Sequence, residues 1–523
     1  MIANFSAAVT GLNNTQRVLQ VTGQNLTNVN TEGYVRRRAE LVETFYSNIG
    51  ESGTGKMQVG SGVDVRCIRQ IRNTLLDQAY RDDTSKMSYY KKEYEVYNEV
   101  EHLMIDSTDL SGALDDLYGA ISTLSLEPSS IAAKMELVVT AQNFVYEGEY
   151  IRNQLYEMQL TMNDQLVDEV NEANKLIGEI YELNEQICGY ELNEDEASDL
   201  RDQRNLALDK LSAIIPITVD EKENHKVQVY TCGRDLFGAS SYETITLKPT
   251  GGVDGFLTPY WVKGNDPVIN MKKPLNEDAN FQDGGTLKGL LMSRGNVTAT
   301  YASSDSDTQL YTIPRIMKDL DTLMHKVVTT INEALAPKSH VDGPLGADKS
   351  QYIELFTRKE MDRYSLDSKG NYVYNEEDPN NFESLYTLGN IEVNPILLKQ
   401  GSYNSLCISP SGEEGDNSLL NEILRGWKDK TMVTKNGTEM NFEGFTVDFL
   451  SDIANRAGTS KSNLEHTTTL VEATEAERQD RSGVSLDEEL GNLIRYQHSY
   501  SASSRVIQTL DSMIETLILN MAV

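Results

Sequence analysis

Proline is missing from both ends of this chain. All twelve prolines of the 523 residues fall between Pro128 and Pro410, and a further stretch without one runs from Ser129 to Ile215. Proline removes a backbone donor and clashes with the preceding turn, so these three gaps are where long helices can run. Cysteine is scarce as well. Cys67, Cys188, Cys232 and Cys407 lie far apart and form no CxxC pair, which points to neither a zinc site nor a disulfide framework and leaves small buried hydrophobes as the default. The six histidines, His102, His225, His325, His340, His466 and His498, show no metal-binding helical spacing and no HExxH, so neither metal nor cofactor is expected. No apolar run approaches the roughly 18 residues of a membrane span. The N-terminus also lacks the basic n-region and apolar h-region of a cleaved signal. Basic residues are outnumbered, 47 against 80 acidic, and the net charge of -33 argues against nucleic acid or an anionic membrane as the main partner.

What the ends do contain is apolar spacing in steps of three and four. At the front it runs through Ile2, Phe5, Val9, Leu12, Gln16, Leu19, Gly23 and Leu26. At the back it runs through Leu486, Leu490, Leu493, Gln497, Tyr500, Ser504, Ile507, Asp511, Ile514, Ile518 and Met521. Both describe helical seams that need a partner helix. Between Ile2 and Thr31 the only charged residue is Arg17, whereas a solvated helix face is usually rich in Glu, Lys and Arg. Burying a handful of large seam residues does not offset the entropy of fixing such a segment. The front is therefore expected to be disordered in the isolated chain and helical once packed against the other terminus and neighbouring copies.

The front seam ends in Asn25-Leu26-Thr27-Asn28-Val29-Asn30-Thr31-Glu32-Gly33-Tyr34, an Asn-rich helix exit and a turn in which Asn and Gly tolerate left-handed backbone angles. This segment resembles the N-terminal signature of the flagellar rod, hook and hook-associated proteins, with Val35 and Arg37 in place of the Ser and Gln often found there. Its motif positions are Asn25, Asn28, Asn30, Thr31, Gly33 and Tyr34. The tail, from Ser482-Gly483-Val484-Ser485-Leu486 through Arg495-Tyr496-Gln497 to Asp511, is similar to that of the hook-associated protein 1 (FlgK) branch of the family, which joins hook to filament. Ser485 stands at a helix N-cap where Asn is common, and both residues serve there. Hook protein has mainly β-structured outer domains, and flagellin and the second junction protein lack the Asn-Thr-x-Gly-Tyr opening.

Inside the ends, Met162, Leu166, Val170, Ala173, Ile177, Ile180, Leu183 and Ile187 form one helical stripe. Leu200, Leu208 and Leu211 extend the helical character to Pro216, and Leu75 to Leu126 is helical too. An antiparallel bundle explains these stripes. Beyond Pro216 the texture becomes strand-like at Ile217–Val219, Val227–Tyr230 and Thr244–Leu247, with a hairpin tip at Glu223-Asn224. Helical character returns at Ile316–Leu335 and Phe445–Arg478, and residues 337–440 form a polar, Tyr- and Gly-rich insertion.

One motif competes on chemistry. Gly50-Glu51-Ser52-Gly53-Thr54-Gly55-Lys56 has phosphate-loop spacing, but Met57 stands where Ser or Thr should hold magnesium, and Met57–Val65 alternates like a strand instead of opening a helix. A Gly-rich hairpin is the better reading. The acidic clusters Asn193–Glu196 and Asp305–Asp307 lack the spacing and glycine of a calcium loop.

The expected fold is mainly α with inserted β-rich modules: terminal helices paired as a coiled coil, a helical-bundle stalk and outer β domains. Its divisions are 1–70 with 483–523 as the inner terminal domain, 71–215, 303–336 and 441–482 as the stalk, 216–302 as a β-rich module and 337–440 as a variable inserted module. The assembly interface is assigned to Ile2, Phe5, Val9, Leu12, Leu19, Leu26, Leu486, Leu490, Leu493, Tyr500, Ile507, Ile514 and Ile518. The family resemblance implies a non-enzymatic junction adaptor outside the cell, exported by the flagellar type III apparatus without a cleaved signal. It also implies its partners: further copies of itself, hook protein, the second hook-filament junction protein and a cytoplasmic export chaperone at the C-terminal helix. An enzyme or adhesin displayed on the same stalk is the alternative.

Overall fold

The structure, a computed structural model, describes residues 2–521 except 45, 53–54, 61, 107–108, 194–195, 239–240, 251–254, 274, 276–283, 339–343, 352, 367, 369–371, 400, 430 and 434–436. The chain opens on α1 (Ile2–Thr27) and passes into a long antiparallel ribbon in which β1 (Arg37–Glu43) pairs with β4 (Val63–Gln70), and β2 (Tyr46–Ser52) with β3 (Gly55–Gly60). Lys56, the lysine of the phosphate-loop spacing, thus sits in a strand opposite Glu51, where a nucleotide loop would start a helix. The turn at 53–54 lies outside the described residues.

Polar caps then fix a series of helix starts. Asn73 accepts the amides of Leu75 and Leu76 to open α2 (Thr74–Glu101), Asp109 caps α3 (Leu110–Leu126), and Ser130 caps α4 (Ile131–Tyr190). The expected helix over Leu75 to Leu126 is therefore two helices, with a π-turn at His102–Asp106 closing the first. At 60 residues α4 is the spine of the molecule, about 90 Å long at 1.5 Å per residue. Its stripe from Met162 to Ile187 is buried throughout. A short connection folds the chain back into α5 (Ser198–Ile214), which packs on both α4 and α2.

The strands that follow are short: β5 (Thr218–Glu221), β6 (Val227–Thr231) and β7 (Arg234–Asp235) in one sheet, β8 (Ile245–Pro249) and β9 (Leu257–Trp261) in another. The chain then gives α6 (Gly285–Arg294), α7 (Thr312–Leu335), four strands β10 (Phe356–Arg358), β11 (Tyr364–Leu366), β12 (Tyr372–Tyr374) and β13 (Ile391–Val393), then α8 (Ser418–Lys428). The strand pair β14 (Met432–Val433) and β15 (Glu439–Met440) precedes α9 (Phe442–Ser482) and α10 (Leu486–Met521).

Two of these helices lie in stretches expected to be β-rich or only weakly periodic, although α8 itself sets Leu420, Ile423, Leu424 and Trp427 at helical spacing. Within 216–302, α6 joins the helical bundle against α2, and within 337–440, α8 packs on α3 and α7. At the start of α6, Gly285 has φ +77° and a Cβ there would stand 2.2 Å from the Ile214 carbonyl oxygen, so only glycine lets the start of α6 approach the end of α5 so closely.

Asparagines on helices hold the β modules in place. Asn174 accepts the Ile245 amide at 2.7 Å and donates to its carbonyl at 2.8 Å. Asn184 does the same for Val227 at 3.1 and 2.9 Å, and Asn332 for Phe356 at 3.2 and 2.7 Å. Each side-chain amide pairs with a strand as a neighbouring strand would, satisfying backbone groups that burial would otherwise leave costly. Among the cysteines, only Cys407 is buried; Cys67, Cys188 and Cys232 are half-buried, which corrects the expectation that all four are core hydrophobes. Among the described residues no helix is long and apolar enough to cross a membrane.

Candidate functional site

The same asparagine device recurs where the two ends of the chain meet the stalk. α10 packs along α1, and α1 also touches β1 and β4. At the exit of α1, Asn25 is buried, accepts the Arg37 amide at 3.1 Å and donates to the Arg37 carbonyl at 2.9 Å. The Tyr34 hydroxyl donates to the same Asn25 oxygen at 2.9 Å, and Asn25 Nδ2 reaches Glu489 in the first turn of α10 at 3.3 Å. Glu489 is buried and also takes the Arg36 guanidinium at 2.7 Å, while Arg36 reaches Glu488 at 2.8 Å. The Arg36 amide donates to the Ser482 carbonyl at 2.9 Å, so the exits of α1 and α9 are bonded to each other. This is a clasp in which one polar side chain, Asn25, ties α1, β1 and α10 together.

On the other side of β1, Arg37 lies over the Tyr34 ring at 4.8 Å and pairs with Asp199 and Asp202 of α5, the latter at 3.2 Å. Gln70 at the end of β4 donates to Asp202 at 2.7 Å and to the Ser198 carbonyl at 2.9 Å. Burial pushes the Asp202 carboxyl up to about 6, against the lowering by Arg37 and Gln70. In the unfolded chain this group titrates near 4, so the native protein takes up the proton first. The charged form then costs about 3 kcal/mol above pH 6, a cost relieved as pH falls from 6 towards 4. We expect Asp202→Asn to lack this gain: in urea unfolding the wild type should improve relative to the variant by about that amount between pH 7 and pH 4. Parallel pH profiles would refute the assignment.

The motif residues act through side-chain bonds more than through unusual backbone angles. Asn28 donates to the Gln24 carbonyl at 2.9 Å, Thr31 donates to Asn28 Oδ1 at 3.1 Å, and Asn30 is exposed. Contrary to the expectation of left-handed asparagines, Gly33 alone in this segment takes a positive φ, 78°, close against Leu206 of α5. Arg495 donates to Asn492 at 2.6 Å and lies over the half-buried Tyr496 ring, while Gln497 is exposed.

The seam positions are unevenly covered. Val9, Leu12, Leu19 and Leu26 are half-buried and Phe5 is exposed; the Ile2 side chain lies outside the described residues. On α10, Leu493 and Ile507 are half-buried, while Leu486, Leu490, Tyr500, Ile514 and Ile518 are exposed. The fully buried line on α1 is instead Asn14, Val18, Val21 and Asn25, because this helix has the ribbon as well as α10 for a neighbour. On α10 the half-buried line runs through Leu493, Tyr496, Ser503, Ile507 and Leu510 and leaves Asp511 exposed. Among the described residues of α10, Glu489 alone is buried. Sequence reasoning missed Arg36, Asp202 and Glu489, whose only signal was the acidic first turn Asp487-Glu488-Glu489.

Comparison with known proteins adds an independent line. The family profile described as the flagellar hook-associated protein FlgK helical domain matches residues 97–348, and that of the flagellar basal body rod FlgEFG protein C-terminal matches residues 477–521. Flagellar hook-associated protein 1 of Bacillus subtilis is 24% identical over 97% of this chain and 96% of its own length. The protein of the same name from Salmonella typhimurium is 23% identical over 99% of this chain and all of its own. The chain is thus similar along nearly its whole length to flagellar hook-associated protein 1. A solved structure of the flagellar hook junction protein FlgK from Burkholderia pseudomallei shares the fold, with a TM-score of 0.55 and 13% identity over 78% of this chain and 100% of that one. In this chain the α10 half of the clasp falls inside the matched C-terminal segment, and the Asn25–Tyr34 half falls outside both profiles.

Proposed function

We propose that this chain is a structural adaptor of the bacterial flagellum that joins hook to filament and is required for filament assembly. Its relatives are named flagellar hook-associated protein 1, and on this reading the chain is not an enzyme. The observation that carries the reading is the contrast within α10: its root is clasped by Asn25 and Arg36, while none of the other described residues of this 36-residue helix is fully buried. Leu490, Ile494, Val506, Met513, Leu517 and Ile518 stay exposed. A row of that length is too apolar for water and needs neighbours. On this reading α1 and α10 form the coiled-coil inner domain, residues 1–70 with 483–523. Copies pack side by side through it, with hook protein on one side and the second junction protein on the other. Residues 71–215, 303–336 and 441–482 are the stalk, and 216–302 and 337–440 the modules it carries. Before export through the flagellar type III apparatus, an export chaperone covers the apolar tail in the cytoplasm and so prevents premature assembly.

Leu493→Asp tests the reading. A carboxylate on the half-buried line of α10 has no partner there and costs several kcal/mol once neighbours desolvate it. The variant should be absent from isolated hook-filament junctions and leave cells without filaments, while the stalk melts as in the wild type. Normal incorporation would overturn the adaptor reading.

A further inference from the structure

The spine helix α4 changes character part-way along its outer face. From Leu126 at the end of α3 onwards, Ile131, Met135, Val139, Tyr146 and Tyr150 are exposed, with Ile131 57% and Tyr146 65% accessible. The two tyrosines stack with ring centroids 6.5 Å apart, so part of the row is already ordered. The positions step mostly by four and lie along about 29 Å of helix, a length over which a second helix can pack ridges into grooves. Of the four charges between Ile131 and Tyr150, Lys134 is buried, Glu149 is paired with Lys359 at 2.8 Å, Glu147 is half-buried and Glu136 is exposed, the two last lying at the edge of the apolar row. Beyond Arg152 the exposed positions turn acidic, with Glu157, Asp164, Asp168, Glu172, Glu179 and Glu182, and no large apolar residue is exposed again before Tyr190. One helix thus supplies both a solvated face and an unsolvated one.

We infer that the Ile131–Tyr150 face of α4 is a contact surface for a neighbouring copy of this chain. The charge pattern selects the occupant. A basic partner would seek the acidic stretch further along the helix, not the row where charge is sparse. A copy carries the same net charge of -33, so it can be desolvated against this chain only where charge is sparse, with the acidic groups kept at the wet rim. Tyrosine and methionine are also the residues that enrich interface centres. The inference rests on the adaptor reading, in which copies lie side by side, and adds a stalk contact to the one made by the terminal helices.

Photo-crosslinking in assembled flagella tests it. The full-length chain is made with p-benzoylphenylalanine in place of Met135, Tyr146 or, as a control, Asp164. Met135 and Tyr146 should each give an adduct of twice the chain mass whose peptides come only from this chain, and Asp164 should give none. Adding Val139→Glu should cut the adduct about tenfold or more, because it places an unpaired carboxylate in the contact. An adduct with a different protein, or no adduct from chains that do reach the junction, overturns the inference alone. Absence of the wild-type chain from flagella overturns the adaptor reading and this inference with it.

Discussion

Asn25→Ala should free both terminal helices from the stalk without unfolding it. Alanine is the better helix former, so α1 itself does not suffer. What is lost is the acceptor for the Tyr34 hydroxyl and the Arg37 amide, and the donor to the Arg37 carbonyl and Glu489. Each buried polar group left without a partner costs about 1–3 kcal/mol, which puts the whole effect at about 3–5 kcal/mol. The α2–α9 bundle has its own core and should keep its melting temperature. Limited proteolysis between residues 28 and 36 should accelerate by orders of magnitude, and filaments should be lost. Asn25→Asp should do no better, since it puts a second carboxylate beside Glu489 and removes both donors. Unchanged proteolysis in Asn25→Ala would show that the clasp is not the joint.

The second large effect concerns order in the isolated chain. α1 and α10 touch each other, yet among the described residues of α10 one is buried, and an isolated helix pair of this kind does not offset the entropy of ordering its backbone. Amide exchange on the purified monomer should therefore find residues 490–519 close to unprotected, and α1 protected weakly beyond the turns nearest the ribbon. The buried stripe of α4 from Met162 to Ile187 should be protected at the level of global unfolding. In the assembled junction the protection of 490–519 should rise by several orders of magnitude. Strong protection of both ends in the monomer would show that they fold without neighbours, and the case built on exposed apolar residues would fail.

Much of the helical framework was legible in the sequence, for reasons that particular residues make plain. The stripe from Met162 to Ile187 could only be one face of a long helix, because eight apolar residues kept the helical period across a stretch with no proline. The clasp was legible only in outline. The Asn25–Tyr34 motif announced a site, but nothing local says that an asparagine on a helix will pair with a strand twelve residues away. For the same reason nothing local distinguishes Asn174, Asn184 and Asn332 from solvated helix positions. The partners Arg36, Asp202 and Glu489 look like ordinary surface charges until the fold brings them together.

The sequence by itself determined where the long helices run, that the ends are apolar in helical register, and that the chain carries an Asn-rich turn resembling that of flagellar axial proteins. These properties are set by residues close in the chain: periodicity, missing proline, caps and turn chemistry. Only the tertiary structure decided which seam faces inward, because burial depends on the number of neighbours. α1 has both α10 and the ribbon beside it, so Asn14, Val18, Val21 and Asn25 are buried and the seam through Leu12 and Leu19 is half-covered. It also decided that α6 and α8, helices too short to be stable alone, belong to the packed body, since α2, α3 and α7 supply the surfaces that stabilise them.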